Sequence, residues 1–441
     1  MLAPRTRYAR SGDVDIAYHV IGDGSQDVAF VLDWGSHLEA LAEQPFMAEF
    51  LAGLGRFARV LWFDMRGIGM SGPVTGGSSV EGWMDDLRAV MDAEGSARAA
   101  LVAHGHGTQM AVMAAAAHPE RVASLVLING YARFARADDY PAGLPERMHG
   151  PYLDAIEAQW GTGVHAAGLG PSVVRRPGVE EWWGRVERYG STPAVARAQL
   201  ETILALDVRN VLPLVKAPTL VVHNRANVFV RVGHGRYLAE HIPGARLLER
   251  DTADHWPLPE PDLLAAIQEF VTGSRAEIAD PDRVLATVVF FDVVGSTEYA
   301  AEHGDRSWRA ALERFEQVVE RALVHYEGRL EDTAGDGALA TFDGPARAIR
   351  CAGHIRDKVR RSGLEVRSGL HTGELVRRPD GIAGIAVHIG ARVSALAAPG
   401  EVLVTRTVRD LVAGSGISFE GRGEHELKGV PDRWALYAAS G

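Results

Sequence analysis

Hydrophobic and polar positions change their rhythm along this chain. From about Asp13 to Thr272, short apolar runs alternate with longer amphipathic segments, the pattern of a parallel sheet with crossover helices. The runs Val28–Leu32, Val60–Phe63, Ala100–Ala103, Val122–Ile128 and Thr219–His223 are the expected strands. Between Tyr131 and Leu212 such runs stop and tryptophans and arginines recur at helical spacing, which predicts a helical cap at about residues 131–212. The stretch GSRAEIADPDR is polar and lacks periodicity, so it reads as a linker. Beyond it, Val284–Phe291 has the pattern of a buried strand, and Trp308, Leu312, Phe315, Val319 and Leu323 define a long helix. Further strands are expected at Leu339–Phe342, Val366–His371 and Val402–Thr405, in an order that suits an α+β fold. The expected organisation is an α/β domain at 1–273, a linker at 274–283 and an α+β domain at 284–441.

Composition narrows the function classes. Hydrophobic residues make up 46% of the 441 positions and charged residues 23%, enough to fill two cores. A formal net charge of −11, with basic residues dispersed, argues against nucleic-acid binding, which needs clustered cations to displace counterions from phosphate. The one cysteine, Cys351, excludes an intramolecular disulfide and a multi-cysteine metal site. No apolar stretch reaches the ~20 residues of a membrane span, and residues 1–10 lack the apolar centre of a secretion signal, so a cytoplasmic protein without membrane insertion is expected.

Candidate chemistry in the second domain centres on two aspartates. Asp292 is expected at the end of a strand, followed by Val293, Val294, Gly295, Ser296 and Thr297 leading into a helix. A carboxylate beside the free amides of a helix start suits a metal-bound triphosphate. Asp336 lies in the turn Thr333-Ala334-Gly335-Asp336-Gly337. Separately, each motif is better served by a plain helix cap or a hairpin turn. Together, two carboxylates that hold two Mg²⁺ or Mn²⁺ ions can activate a ribose hydroxyl and stabilise a pyrophosphate leaving group.

The runs ATVVFFDVVGST, DTAGDGALATF, GLHTGE, GIAVHIGARV and HELKGVPDRWALY, in this order over Arg283–Ala439, resemble a class III adenylate/guanylate cyclase domain. The resemblance implies a homodimer of ferredoxin-like α+β domains with active sites shared across the interface. It implies Asp292 and Asp336 as metal ligands, Arg392 as the transition-state arginine and Lys428 as the phosphate-binding lysine. Three positions depart from the common adenylate-cyclase pattern: Asp332 replaces an adenine-reading lysine, Gly381 its aspartate partner, and His388 an asparagine. His388 can still donate a hydrogen bond in place of the asparagine, and a structural role serves it equally well. A carboxylate at 332 complements the N1–H and N2–H donors of guanine, so GTP is expected to be slightly favoured over ATP.

The first domain, over about Tyr8 to Phe270, resembles the α/β-hydrolase family through FDMRGIGMSG, ALVAHGHGTQMAVMAAAAHPERVASLVLING and the late pair Asp254-His255. In that fold the nucleophile sits on a sharp elbow after a strand. Here the elbow reads Ala103-His104-Gly105-His106-Gly107, which puts Gly105 at the nucleophile position, and the acid position falls on Asn227, leaving only His255 of the triad. His104, His106 and Thr108 lie nearby, but none occupies the apex. The expectation is a degenerate hydrolase whose capped pocket can still bind a small molecule, joined to a cyclase. The rivals are a nucleotide- or ligand-sensing protein with little or no catalysis, and an active hydrolase with an unusual nucleophile.

Overall fold

The computed structural model describes residues 5–74, 79–273, 283–378 and 381–440. The chain divides into two compact units, Met1–Ala279 and Asp280–Gly441, each described by itself.

The first unit is built on one sheet of strands β1 (Arg7–Ser11), β2 (Val14–Ile21), β3 (Asp27–Val31), β4 (Arg59–Phe63), β5 (Ala99–His104), β6 (Val122–Ile128), β7 (Thr219–Asn224) and β8 (Arg246–Arg250), in the order β1-β2-β4-β3-β5-β6-β7-β8. The pairs β1/β2 and β2/β4 are antiparallel, and the rest are parallel. The five apolar runs form strands whose ends fall within one residue of expectation. The strands that periodicity did not reveal, β1, β2 and β8, sit at or near the sheet's edges. β1 (RYARS) and β8 (RLLER) carry charge because much of each faces water.

After β5 the chain turns sharply into the helix Gly107–Ala117, in which every residue is buried. Its alanines and glycine keep it slim enough to lie against the sheet. Between β6 and β7 come the helices His149–Gln159, Val179–Gly190 and Pro193–Ala205. The expected cap is therefore helical only in its later part. Residues 133–144 are held by isolated bridges, Ala135 to Leu144 and Ala137 to Tyr140, and Glu146–Met148 is a 3-10 turn.

The second unit carries β9 (Arg283–Val294), β10 (Arg329–Ala334), β11 (Gly337–Phe342), β12 (Glu365–Arg378), β13 (Gly381–Ala383), β14 (Val402–Thr405), β15 (Ser418–Glu426) and β16 (Arg433–Ser440). Their order is β10-β11-β9-β12-β14-β16-β15, with β13 paired to β12. With the helices Asp305–His325 and Pro345–Arg360, the strands β9, β10, β11 and β12 make a split βαββαβ arrangement. Phe315, Val319 and Leu323 turn the long helix's apolar stripe into the core with Phe291 and Ile355, while Trp308 and Leu312 pack at its margin. Cys351 is buried there, and burial pushes its thiol up to about 12.

Two expectations shift. Asp292 does not end its strand, because β9 continues to Val294. Arg283, expected in the linker, already opens β9 as the Cα partner of Val376, and the remainder of the linker, 274–282, lies outside the described residues. No helix among the described residues is long and apolar enough to cross a membrane.

Candidate functional site

In the first unit, the elbow brings His104, Gly105 and His106 to the carboxyl ends of the parallel strands, where an α/β sheet presents its ligand site. Gly105 adopts φ +56, the left-handed conformation the elbow requires. The space a side chain would occupy there is taken by Asp33, which follows β3. A Cβ on residue 105 would lie 2.1 Å from Asp33 Oδ2.

The Asp33 carboxylate sits among the groups that serve hydrolysis in an intact member of this fold, where the N–H after the nucleophile and one from the loop after β3 bind the oxyanion. Those two amides, of His106 (3.1 Å) and Trp34 (3.0 Å), both reach Asp33 Oδ1. The ring Nδ1 of His106 lies 2.7 Å from the same oxygen and 2.8 Å from the Trp34 amide nitrogen. Nε2 of His255 donates to Oδ2 at 2.9 Å. Burial pushes the Asp33 carboxyl up, but the hydrogen bonds from His106 and His255 more than offset it and hold the group well below the usual carboxylate range.

Asn227 fixes the proton on His255. Its Oδ1 accepts the N–H groups of Phe229 and Val230, both at 3.0 Å, so its amide nitrogen faces His255 and donates to Nδ1 at 3.2 Å. With Nδ1 accepting, the proton of the neutral ring is assigned to Nε2. This is the reverse of a catalytic histidine, whose Nδ1–H donates to an acid and whose Nε2 accepts the nucleophile's proton. His104 donates from Nε2 to the carbonyl of His255 at 2.7 Å, and burial first, then the neighbouring His255, lowers its pKa to about 3. Asp33, His104 and His255 each offer a ligand atom within 4.8 Å of the others. Of these atoms, Nε2 of His255 already pairs with Asp33 Oδ2 at 2.9 Å. His106 turns to Asp33, and Thr108 is buried in the elbow helix, so neither becomes a substitute nucleophile.

Beside this cluster lies a cavity of about 250 Å³, walled by aromatic residues such as Trp160, Trp183, Phe229 and Trp256 and reached by Tyr152 and His165 from the cap. Sequence reasoning missed Asp33. The available signal was a carboxylate directly after the apolar run of β3, on the same side of the sheet as the elbow.

In the second unit, a cavity of about 260 Å³ brings together Asp292, Asp336, Asp332 and Arg367. Register explains the grouping: Asp292 lies opposite Gly337 of β11 and opposite Arg367 of β12. Asp336 stands in the two-residue turn between β10 and β11, and its carbonyl accepts the Val293 N–H at 3.2 Å. Arg367 donates to Asp292 Oδ2 from Nε at 2.7 Å and also from Nη2. This guanidinium stands where the carboxylates call for a cation, and an all-oxygen donor set of this kind suits a hard divalent ion. The sequence reading did not single out Arg367, which sits between Val366 and Ser368 in an ordinary strand pattern.

The other residues carried by the resemblance do not line this cavity, though Ala391, Ser394 and Ala395 on the helix of Arg392 do. Arg392 Nε donates to the Lys428 carbonyl at 3.3 Å, and both side chains are exposed and outside the lining of the acidic cavity. His388 is exposed one turn before Arg392 on the helix Ile385–Leu396. Gly381 opens β13, which approaches β10, the strand of Asp332. Ser296 and Thr297 begin the helix Ser296–His303, directly after Val293, Val294 and Gly295.

A family model described as the alpha/beta hydrolase fold matches residues 38–262, half of the chain, and the chain belongs to that family. It is 28% identical over 284 residues to a Caulobacter sp. (strain K31) protein provisionally named carbamate hydrolase RutD, covering 60% of this chain and 100% of that one. The esterase RhEst1 from Rhodococcus sp. ECU1013 superposes with a TM-score of 0.52 at 23% identity, over 61% of this chain and 99% of that one, which shows the fold alone. The C-terminal part has a partial likeness of a different kind. It is 27% identical over 157 residues to a Rhizobium meliloti (strain 1021) protein provisionally named adenylate cyclase 3, spanning 34% of this chain and 27% of that protein.

Proposed function

We propose that the second unit is a class III nucleotide cyclase that converts a nucleoside triphosphate into a 3′,5′-cyclic nucleotide and pyrophosphate. The observation that carries this reading is the convergence of Asp292 and Asp336 on one cavity, with the Arg367 guanidinium paired to Asp292. The ordered cyclase-like motifs and the partial likeness to adenylate cyclase 3 support it. Asp292 and Asp336 would hold two Mg²⁺ or Mn²⁺ ions, which supply Lewis acidity to the ribose 3′-hydroxyl and to the departing pyrophosphate. In the reaction the 3′-oxygen bonds to the α-phosphorus and the bond from that phosphorus to the β-phosphate bridging oxygen breaks.

The chain's own side chains would do the remaining work across a homodimer. Arg392 offers planar donors to the charge that develops on the α-phosphate, His388 adds a hydrogen bond, and Lys428 binds the distal phosphates. Arg392 and Lys428 do not line the acidic cavity of their own chain, although Ala391 and Ser394 of the same helix do, which is consistent with a site completed by a second copy. Asp332 would accept from guanine N1–H and N2–H, which makes GTP the favoured base over ATP.

The first unit is read as a hydrolase-fold domain that has lost catalysis and keeps a ligand pocket. A ligand held there changes cyclase turnover only if it binds active and inactive states unequally. Pyrophosphate release from each of the four nucleoside triphosphates, with Mg²⁺ and Mn²⁺ in turn, tests the cyclase. No release from any combination removes it.

A further inference from the structure

We propose that Arg367 competes with a divalent ion for the Asp292 carboxylate, so that a bare ion is seated in the acidic cavity only when the guanidinium swings away. This rests on reading Asp292 and Asp336 as metal ligands and adds a side chain that regulates their occupancy.

Strand register makes the pair. Arg367 on β12 and Asp292 on β9 are direct cross-strand partners, so their side chains leave the sheet side by side on one face. Both line the cavity that also holds Asp332 and Asp336. Among the described residues no lysine and no other arginine lines it, so one guanidinium stands against three aspartates. Without an ion, Arg367 is the side chain that offsets the repulsion among them.

The contact has the form of one that can be exchanged. Nε and Nη2 of Arg367 both donate to Oδ2 of Asp292, so the grip falls on a single oxygen. Among the described residues the guanidinium makes no other hydrogen bond, and the two side chains keep 32% and 33% of their surface exposed. Arg66 in the first unit is built differently. Its guanidinium reaches both oxygens of Asp86 and also Ser11 Oγ at 2.9 Å, and the Asp86 side chain is fully buried. Parting that pair strands a buried charge, whereas the Arg367 pair opens into water.

Two cations do not share the oxygen on equal terms. A hard divalent ion binds a carboxylate oxygen at about 2.1 Å. It would then lie roughly 6 Å from a guanidinium still on Oδ2, and repulsion at that distance weakens binding about tenfold even at the dielectric of water. An arginine that only oriented Asp292 for the ion would act in the opposite sense, as outer partners of metal ligands strengthen binding. Removing Arg367 therefore separates the two roles by sign.

The measurement is Mn²⁺ binding by the nucleotide-free full chain, read from loss of the free-ion signal in electron paramagnetic resonance. Binding that disappears when Asp292→Ala and Asp336→Ala are added together belongs to this cavity. Arg367→Met and Arg367→Gln, each shown to fold by its melting temperature, are expected to bind Mn²⁺ there about tenfold more tightly than the parent. The proposal is overturned if the folded variants show no cavity binding, or none tighter than the parent's. Crystals of the parent soaked in Mn²⁺ give a check that needs no variant at 367: an ion on Asp292 with Arg367 still donating to Oδ2 overturns it as well. Cyclic-nucleotide formation by the parent is measured separately. Product without the gain in Mn²⁺ affinity keeps the cyclase reading and removes this one, and the gain without product from any triphosphate keeps the competition and removes the cyclase.

Discussion

The carboxylate of Asp33 and the missing side chain of Gly105 compete for one place, since a Cβ on residue 105 would lie 2.1 Å from Oδ2. Restoring a serine at the elbow therefore does not restore a hydrolase. Gly105→Ser is expected to cost roughly 1–3 kcal/mol, from its positive φ and from displacement of Asp33, and to yield no turnover of short-chain aryl esters. The parent is expected to show none above background either. A melting curve and a chromogenic ester assay check both, and parent hydrolysis that disappears in His255→Ala would reinstate the hydrolase.

Acid should weaken the first unit before it reaches the carboxylate range. Burial lowers His104 to about 3, His223 to about 4 and His234 to about 3, all from an ordinary value near 6.5. The unfolded chain binds these protons as pH falls below about 6.5, while the folded chain refuses them until about 3–4. Stability thus falls with pH, by on the order of 2 kcal/mol per ring at pH 5. Asp33, whose pKa is depressed by folding, adds its own loss only below about pH 4. Urea melts of the first unit's transition at pH 7 and pH 5 should differ accordingly, and equal midpoints would refute the assignment.

Replacing Asp292 or Asp336 with alanine should abolish cyclisation while leaving the melting temperature within a few degrees, because both groups line an open cavity rather than a core. Mixing Asp336→Ala with Arg392→Ala chains should recover activity at one of the two sites of each heterodimer. Confirmed heterodimers without activity would dismiss the shared site.

Base preference should respond to residue 332. Asp332→Lys removes the acceptor for guanine N1–H and N2–H and presents a donor to adenine N1, so the kcat/KM ratio of GTP to ATP should fall about tenfold or more. An aspartate at 381 would complete the adenine pattern, but Gly381 has φ +131, a conformation costly for any side chain, by about 1–3 kcal/mol. The single variant is therefore the cleaner comparison, and an unchanged ratio would show that Asp332 does not read the base.

The parallel strands and the long helix at Asp305–His325 were legible because burial imposes a strict period on them. Edge strands such as β8, half in water, carry no such signature. The elbow was legible because its chemistry is local: Gly105 and its neighbours are consecutive. Asp33 and Arg367 were not, since their roles arise from contacts with residues remote in sequence, Asp33 with His255 and Arg367 with Asp292. The early cap, 133–144, misled for a related reason. Its bridges join residues whose spacing mimics no regular period.

The amide of Asn227 has a consequence for its neighbours. Replacing one acceptor oxygen by a donor nitrogen reverses the direction of the hydrogen bond at His255 Nδ1, and the ring's other nitrogen is then committed to Asp33. Building a catalytic triad here requires changes at Asn227, Asp33 and Gly105 together. An aspartate at 227 alone sets an acid against a lone pair, removal of Asp33 alone strands His255, and a serine at 105 alone has no room. Each change alone breaks a contact that the other two positions make, so Asn227, Asp33 and Gly105 hold one another in place.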